Sequence, residues 1–224
     1  MPRESYQNRM DDLRHDVVEM GTAVVERVET ALTALQSGED ALAREVIDGD
    51  AAINDRYLEL EADCIDLLAL QQPVAGDLRF ISSTFKILTD LERIADLATN
   101  LGEYALSASW ETTPEVGVVD IGRDAVALVE RGLRAYADGD VEACHAIAAA
   151  DDDIDALCQE ASQRVVRDLI EREADADIWD VEQLLDDVSS LLLTVRDLER
   201  VADHAVNVAA RTLYLVENDP SLLY

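Results

Sequence analysis

The sequence predicts an all-α, elongated protein built as two tandem three-helix bundles, and three observations carry that expectation. Apolar residues recur at spacings of three and four along most of the chain, the period of a half-buried helix. Only four prolines and nine glycines interrupt 224 residues. The stretch DLERIADLATN, residues 90–100, returns as DLERVADHAVN at residues 197–207. Over the twelve-residue window from Asp90, eight positions are identical at an offset of 107. A chain of this length can bury a substantial core, as one large domain or two small ones.

The elements follow in order from the breaks. Turn-forming clusters fall at SGED (37–40), QQPVAGD (71–77), SWETTPEVG (109–117), DGD (138–140) and EADAD (173–177). They leave six helical segments, near 5–36, 40–71, 77–107, 117–137, 141–172 and 178–217. A helix of about 30 residues is about 45 Å long, so several of these are rods that need partners along their length. The repeat groups them into two copies of three, over residues 1–108 and 117–217, joined by a linker at 109–116. In the third helix of each copy, Leu78, Ile81, Phe85 and Leu88 correspond to Leu185, Val188, Leu192 and Val195, and each set lies on one face. In the second helix the offset is 101, pairing Asp50 with Asp151 and Ile53 with Ile154. The six-residue difference falls in a loop, where length is tolerated.

Charge narrows the function. Acidic residues number 49 against 18 basic ones, a formal charge of -31, and Lys86 is the one lysine. Self-repulsion on this scale is relieved by salt, which points to a salt-loving organism. Regular apolar spacing argues against disorder. Without a Lys/Arg cluster, direct nucleic-acid binding and attraction to an anionic membrane are both disfavoured. No apolar run has the length of a membrane span and the first residues carry no signal-peptide core, so a cytoplasmic location is expected. Cys64, Cys144 and Cys158 lack metal-type or redox spacing and read as small buried hydrophobes.

The repeated turn carries the chemistry. Continuing the apolar stripe leads to Glu92 and Asp96 in one copy and to Glu199 and Asp203 in the other. Each pair stacks two acids on neighbouring helical turns, which is unfavourable without compensation. Asn100 and Asn207 add an oxygen donor one turn later, and the second helices add Asp50 with Asn54, and Asp151 with Asp155. Packing the second helix beside the third would gather about four oxygen ligands per unit. Acids in line with an apolar stripe require protonation, basic partners or a cation. Oxygen-only donors suit magnesium, manganese or calcium, with iron or zinc admissible where carboxylates bridge several ions. In so acidic a chain single E-x-x-x-D pairs arise by chance; duplication, stripe register and the matching second-helix acids raise these above that background. Arg93 and Arg200 lie about 100° around the helix from the glutamates and are expected at the surface.

Other motifs carry less. Glu142 and His145 form an E-x-x-H without the second copy that a di-iron bundle requires. His15, His145 and His204 are scattered, though His204 adjoins Asp203. No nucleophile elbow, P-loop or dinucleotide-binding glycine motif occurs, so hydrolase and nucleotide-binding readings have no foothold. Paired carboxylates could serve acid/base catalysis, but no pocket signature accompanies them, and a protein without enzyme activity is expected. Trp110 and Trp179, near breaks, read as packing anchors.

The doubled DLERIAD…N and DLERVADHAVN, with LLALQQPVAGDLRFI at 67–81, resemble the PhoU family in an archaeal, halophile-like form, over about residues 5–217. The resemblance implies a negative regulator of phosphate uptake that binds the ATPase subunit of the phosphate ABC transporter, and a sensor kinase where one exists. It also implies multinuclear iron or zinc held by E/D-x-x-x-D motifs, here Glu92/Asp96 with Asp50/Asn54 and Glu199/Asp203 with Asp151/Asp155. Homodimerisation fits it too, although no helix stripe dictates an interface. Three departures stand out: Ala95 and Ala202 replace a frequent glycine, Asn54 replaces an acid, and the second copy has EREADADIWD in place of the Q-Q-P turn. A carboxylate-bridged metal enzyme and a metal-free acidic adaptor are the alternative readings.

Overall fold

The computed structural model describes residues 3–70, 73–107, 117–173 and 178–223, and the regular secondary structure in them is helical throughout. The helices are α1 (Arg3–Ser37), α2 (Asp40–Asp48), α3 (Asp50–Leu70), α4 (Ala75–Ser107), α5 (Val118–Asp138), α6 (Val141–Glu173) and α7 (Ile178–Glu217). The expected linker 109–116, Gln71 and Gln72, Trp110, most of the EADAD break and the side chain of Trp179 lie outside the described residues.

One expected rod is two. The 40–71 segment breaks at Gly49, whose N–H bonds to the carbonyls of Glu45 and Ile47 and so closes α2. Its counterpart α6 runs unbroken through Ala150, at the equivalent position. The other boundaries match the turn chemistry. Gly38 and Gly139 follow α1 and α5 with φ of 68° and 69°, a left-handed conformation that glycine adopts without a Cβ clash. Both donate back into the last turn, to Ala34 O at 2.9 Å and Ala135 O at 2.8 Å. They lie 101 residues apart, so the first two rods of each unit share one register.

That register reappears where α1 crosses α5. Gly21 lies against Leu133, and Gly122 against Leu32, with no room for a methyl group at either glycine. Both the glycines and the leucines are 101 apart, so the two halves make the same contact reciprocally. Long antiparallel packing of α4 on α7 forms the second seam between the halves. Ile87, Leu88, Leu91, Ile94, Leu97 and Leu101 of α4 meet Val195, Leu198, Val201, Ala205 and Val208 of α7 in the buried core. At 40 residues α7 is about 60 Å long, which gives the molecule its elongated form.

The stripe read from sequence runs along the rim of this core. Ile81, Leu88, Val188 and Val195 are buried, Phe85 and Leu192 are partly covered, and Leu78 and Leu185 are each 48% exposed. The acids that continue it therefore emerge at a surface edge. The three cysteines are buried and free, and burial pushes Cys64 and Cys158 up to about 12, so they stay protonated and unreactive. Among the described residues no helix is long and apolar enough to cross a membrane.

A candidate metal centre beside the helix seam

The repeated D-L-E-R turn does two jobs, divided by helix face. Its first residue points inward. Asp197 has no exposed side-chain surface; it accepts Asn100 Nδ2 at 3.1 Å and the Tyr104 hydroxyl at 3.0 Å from α4. Arg196 donates to its other oxygen at 2.9 Å, and Arg200 lies 3.5 Å away. Its counterpart Asp90 meets His204 Nδ1 at 2.9 Å and accepts Asn207 Nδ2 at 3.2 Å from α7. Asparagine and aspartate thus pair crosswise, each unit's asparagine serving the other unit's buried acid. Burial and the adjacent Asp197 charge push the Tyr104 hydroxyl up to about 12, which keeps it a donor.

Asn100 and Asn207, expected as oxygen ligands beside the acids of their own copy, each donate through Nδ2 to the other unit's buried aspartate. His204 Nδ1 is also turned onto Asp90. Asp90 and Asp197 themselves went unremarked. Their identity at the repeat offset was the available signal, but in a chain with 49 acids nothing in the sequence separates a buried aspartate from a solvated one.

The glutamates and second aspartates of the turn face the rim. In the second unit α6 supplies Asp151 and Asp155, while α7 supplies Glu199 and Asp203. Asp151 and Glu199 are partly covered; Asp155 and Asp203 are exposed. Burial, then the charges of Asp155, Asp203, Asp152 and Glu199, raise Asp151 to about 6. Glu199 and Asp203 are raised by burial first and by Asp155 next. These four side chains share one electrostatic neighbourhood, and Oδ1 of Asp151 is buried there without a hydrogen-bond partner. An unsatisfied buried carboxylate oxygen is unfavourable by roughly 1–3 kcal/mol or more. Asp151 and Asp203 also line a surface cleft of about 460 Å³ with Arg200, His204 and Asn207, walled by Leu222 and Leu223. The segment after residue 217, to which the sequence reading assigned no role, thus reaches the site.

In the first unit Asp50 and Asn54 of α3 face Glu92 and Asp96 of α4. Burial raises Glu92, helped by Asp96, and raises Asp96, helped by Asp50. Here the inner aspartate is satisfied at both oxygens. Asn54 Nδ2 donates to Oδ2 at 2.8 Å, and Oδ1 accepts the Thr99 hydroxyl at 3.1 Å. Arg27 from α1 lies 3.5 Å from the same Oδ1. Arg27 and Thr99 were not anticipated from the sequence. Arg93 and Arg200 are exposed, as expected, and so are Glu142 and His145.

Among the described residues no three His, Cys, Asp or Glu side chains already converge on one ion-sized point. The donor set of the second unit nonetheless fits a hard cation: four carboxylates, an orphaned inner oxygen and mutual repulsion that a positive charge would relieve.

Comparison with known proteins matches this architecture. The PhoU domain family model covers residues 17–105 and again 118–212, the two halves of the repeat. The chain is 32% identical to the phosphate-specific transport system accessory protein PhoU homolog 1 of Methanothermobacter thermautotrophicus, across 96% of this chain and 95% of that protein. It is 31% identical to the corresponding homolog of Pseudomonas putida, across 95% and 81%. Its fold superposes on the crystal structure of PhoU from Pseudomonas aeruginosa with a TM-score of 0.87 at 29% identity, covering 96% of this chain and all of that one. For the phosphate transport system regulatory protein PhoU from Streptococcus pneumoniae the TM-score is 0.86 at 25% identity, covering 96% and 98%. With both halves matched in order and two full-length folds in common, the chain belongs to the PhoU family.

Proposed function

We propose that this protein is a metal-binding negative regulator of phosphate uptake that acts by docking rather than by turnover. Its partner is the ATPase subunit of a phosphate ABC transporter, with a phosphate-sensing kinase as a second partner where one exists, and it works as a cytoplasmic homodimer. The regulatory part is supported by relatives named as accessory proteins of phosphate-specific transport. The metal part is supported by one observation above all: the buried, unpartnered oxygen of Asp151 amid Asp155, Glu199 and Asp203.

Asp151, Asp155, Glu199 and Asp203 would hold the metal, which supplies positive charge and exchangeable ligand positions when bound. The chain itself provides the rest. Two acids project from α6 and two from α7, so drawing them together ties one helix to the other and fixes the surface beside them. Exposed Asp155 and Asp203 leave the centre at the molecular edge. That placement suits docking better than a carboxylate-bridged enzyme, which needs an enclosed site. The family's iron and zinc, and the magnesium, manganese or calcium favoured by oxygen donors, are the candidate ions.

The test pairs metal analysis with transport. Metal content of the purified protein, read by plasma mass spectrometry, should fall when Glu199→Ala and Asp203→Ala are combined; unchanged content rejects the site. In phosphate-replete cells lacking the protein, the wild-type gene should restore low phosphate uptake. Equal restoration by the metal-free variant would leave a metal-independent adaptor as the correct reading.

A further inference from the structure

The two acidic clusters occupy equivalent places in the repeat, yet their surroundings differ at four matched positions. Arg27, Gly49, Asn54 and Thr99 in the first unit correspond to Leu128, Ala150, Asp155 and Val206 in the second. The matching is fixed by structure, because the Gly21/Gly122, Leu32/Leu133 and Gly38/Gly139 pairs hold α1 and α5 to one register.

The four first-unit residues work together. Arg27 reaches from α1 with its side chain only 11% exposed, and Nη2 donates to Thr99 Oγ1 at 3.1 Å while lying 3.5 Å from Asp50 Oδ1. Thr99 donates onward to the same carboxylate oxygen at 3.1 Å, and Asn54 holds the other at 2.8 Å. Gly49 makes the space: a Cβ there would run into Nη1 of Arg27. The break between α2 and α3 lies at this residue, whereas α6 passes the same point with Ala150. In the second unit Leu128 is buried and Val206 offers no hydroxyl. Asp155 adds a charge where Asn54 donates a hydrogen bond, and Asp151 keeps an oxygen without a partner. Exposed arginines lie near both clusters, Arg93 by Glu92, and Arg200 by Asp96 and again by Asp203. Only the first cluster has a largely buried guanidinium, Arg27, where the second has Leu128.

We propose that Arg27 is a built-in counter-cation that closes the first cluster to metal, so that this chain binds divalent ions at its second cluster alone. A guanidinium stays charged at any physiological pH and presents a planar fork of donors, so it neutralises Asp50 permanently where an ion would do so reversibly. Asp50 has a donor at each oxygen, unlike Asp151, whose Oδ1 has none. The proposal rests on the metal reading of the second cluster, and it makes the two halves unequal: one is a fixed structural clamp, the other responds to metal supply.

Manganese binding to the metal-free full-length protein, followed by electron paramagnetic resonance, tests this with two variants. Asp151→Asn with Asp155→Asn should abolish binding. Arg27→Leu with Asn54→Asp, which imports the second unit's residues, should add sites and raise bound manganese to about twice the wild-type value. Unfolding cannot mimic a gain of specific binding, and the first variant decides the question if the second proves unstable. Should Asp151→Asn/Asp155→Asn retain roughly half its manganese and lose it on adding Glu92→Gln and Asp96→Asn, the first cluster binds despite Arg27. That outcome overturns the inference and leaves the metal reading standing. A folded Arg27→Leu/Asn54→Asp protein with no extra manganese also overturns it. If neither wild type nor that variant binds manganese at millimolar concentration, the metal reading itself fails and the inference falls with it.

Discussion

Asp197 shows how little a carboxylate's sequence position says about its role. It is fully buried, and four side chains surround it. Removing the acceptor strands the Asn100 amide and the Tyr104 hydroxyl, so Asp197→Ala is expected to lower unfolding free energy by about 2–3 kcal/mol. Urea denaturation should show a lower midpoint, and a loss as small as that of an exposed acid such as Asp152→Ala would mean the seam tolerates the hole. Asp151 is the opposite case, an acid with an unmet need. Burial and the neighbouring acids raise its folded-state pKa from the ordinary aspartate value of 3.8 to about 6, so the folded chain holds the proton more tightly than the unfolded one. The stability this contributes is complete below about pH 4 and is lost as pH rises through about 6. Metal-free wild type should therefore lose melting temperature relative to Asp151→Asn across that window. A constant difference between the two would show that the carboxylate is not perturbed.

Helices meet in two different ways here. At the α1–α5 crossing, glycine lets each helix approach a leucine of the other, so Gly21→Val overpacks against Leu133 and should be unfavourable by about 1–3 kcal/mol. The thermal midpoint of that variant should drop while helical content is retained; an unchanged midpoint would show that Leu133 moves aside freely. Where α6 meets α7, four acids repel one another, and on the proposed reading a metal ion relieves them. A ligand that binds only the folded protein at a hundredfold excess over its dissociation constant stabilises it by about 2.7 kcal/mol. Chelator should accordingly lower the melting temperature of metal-loaded wild type at neutral pH and leave Asp151→Asn/Asp155→Asn unaffected. Equal shifts in the two proteins would place the metal elsewhere.

For the molecule as a whole, charge dominates. With a formal charge of -31 and the acids spread over most helices, long-range repulsion opposes compaction, and its range contracts from about 10 Å at 0.1 M salt to about 3 Å at 1 M. Thermal unfolding should shift upward steadily as potassium chloride rises through that range; a flat response would show that the acidic surface is neutral for stability. The same field attracts divalent cations to the acidic rim while repelling free phosphate, so a phosphate signal relayed through this protein is expected to arrive through a docked partner.

Helix content, the duplication and its registers were legible in the amino-acid order, because they depend on local periodicity and on repetition, both one-dimensional properties. Gly38 and Gly139 could be read as helix ends for the same reason: backbone sterics at a single residue decide them. The site was half legible. Glu92, Asp96, Glu199, Asp203, Asp151 and Asp155 do lie at the helix rim. The roles of Asp90, Asp197, Asn100 and Asn207 were set only when α4 and α7 packed antiparallel and crossed the two copies. Arg27 illustrates the limit best. It sits 23 residues from Asp50 and 72 from Thr99 along the chain, and only the packing of α1 over Gly49 delivers its guanidinium to that carboxylate. Sequence determined which residues were present and how each helix turned; tertiary structure alone decided which charges met, because Coulomb and hydrogen-bond energies depend on distance through space.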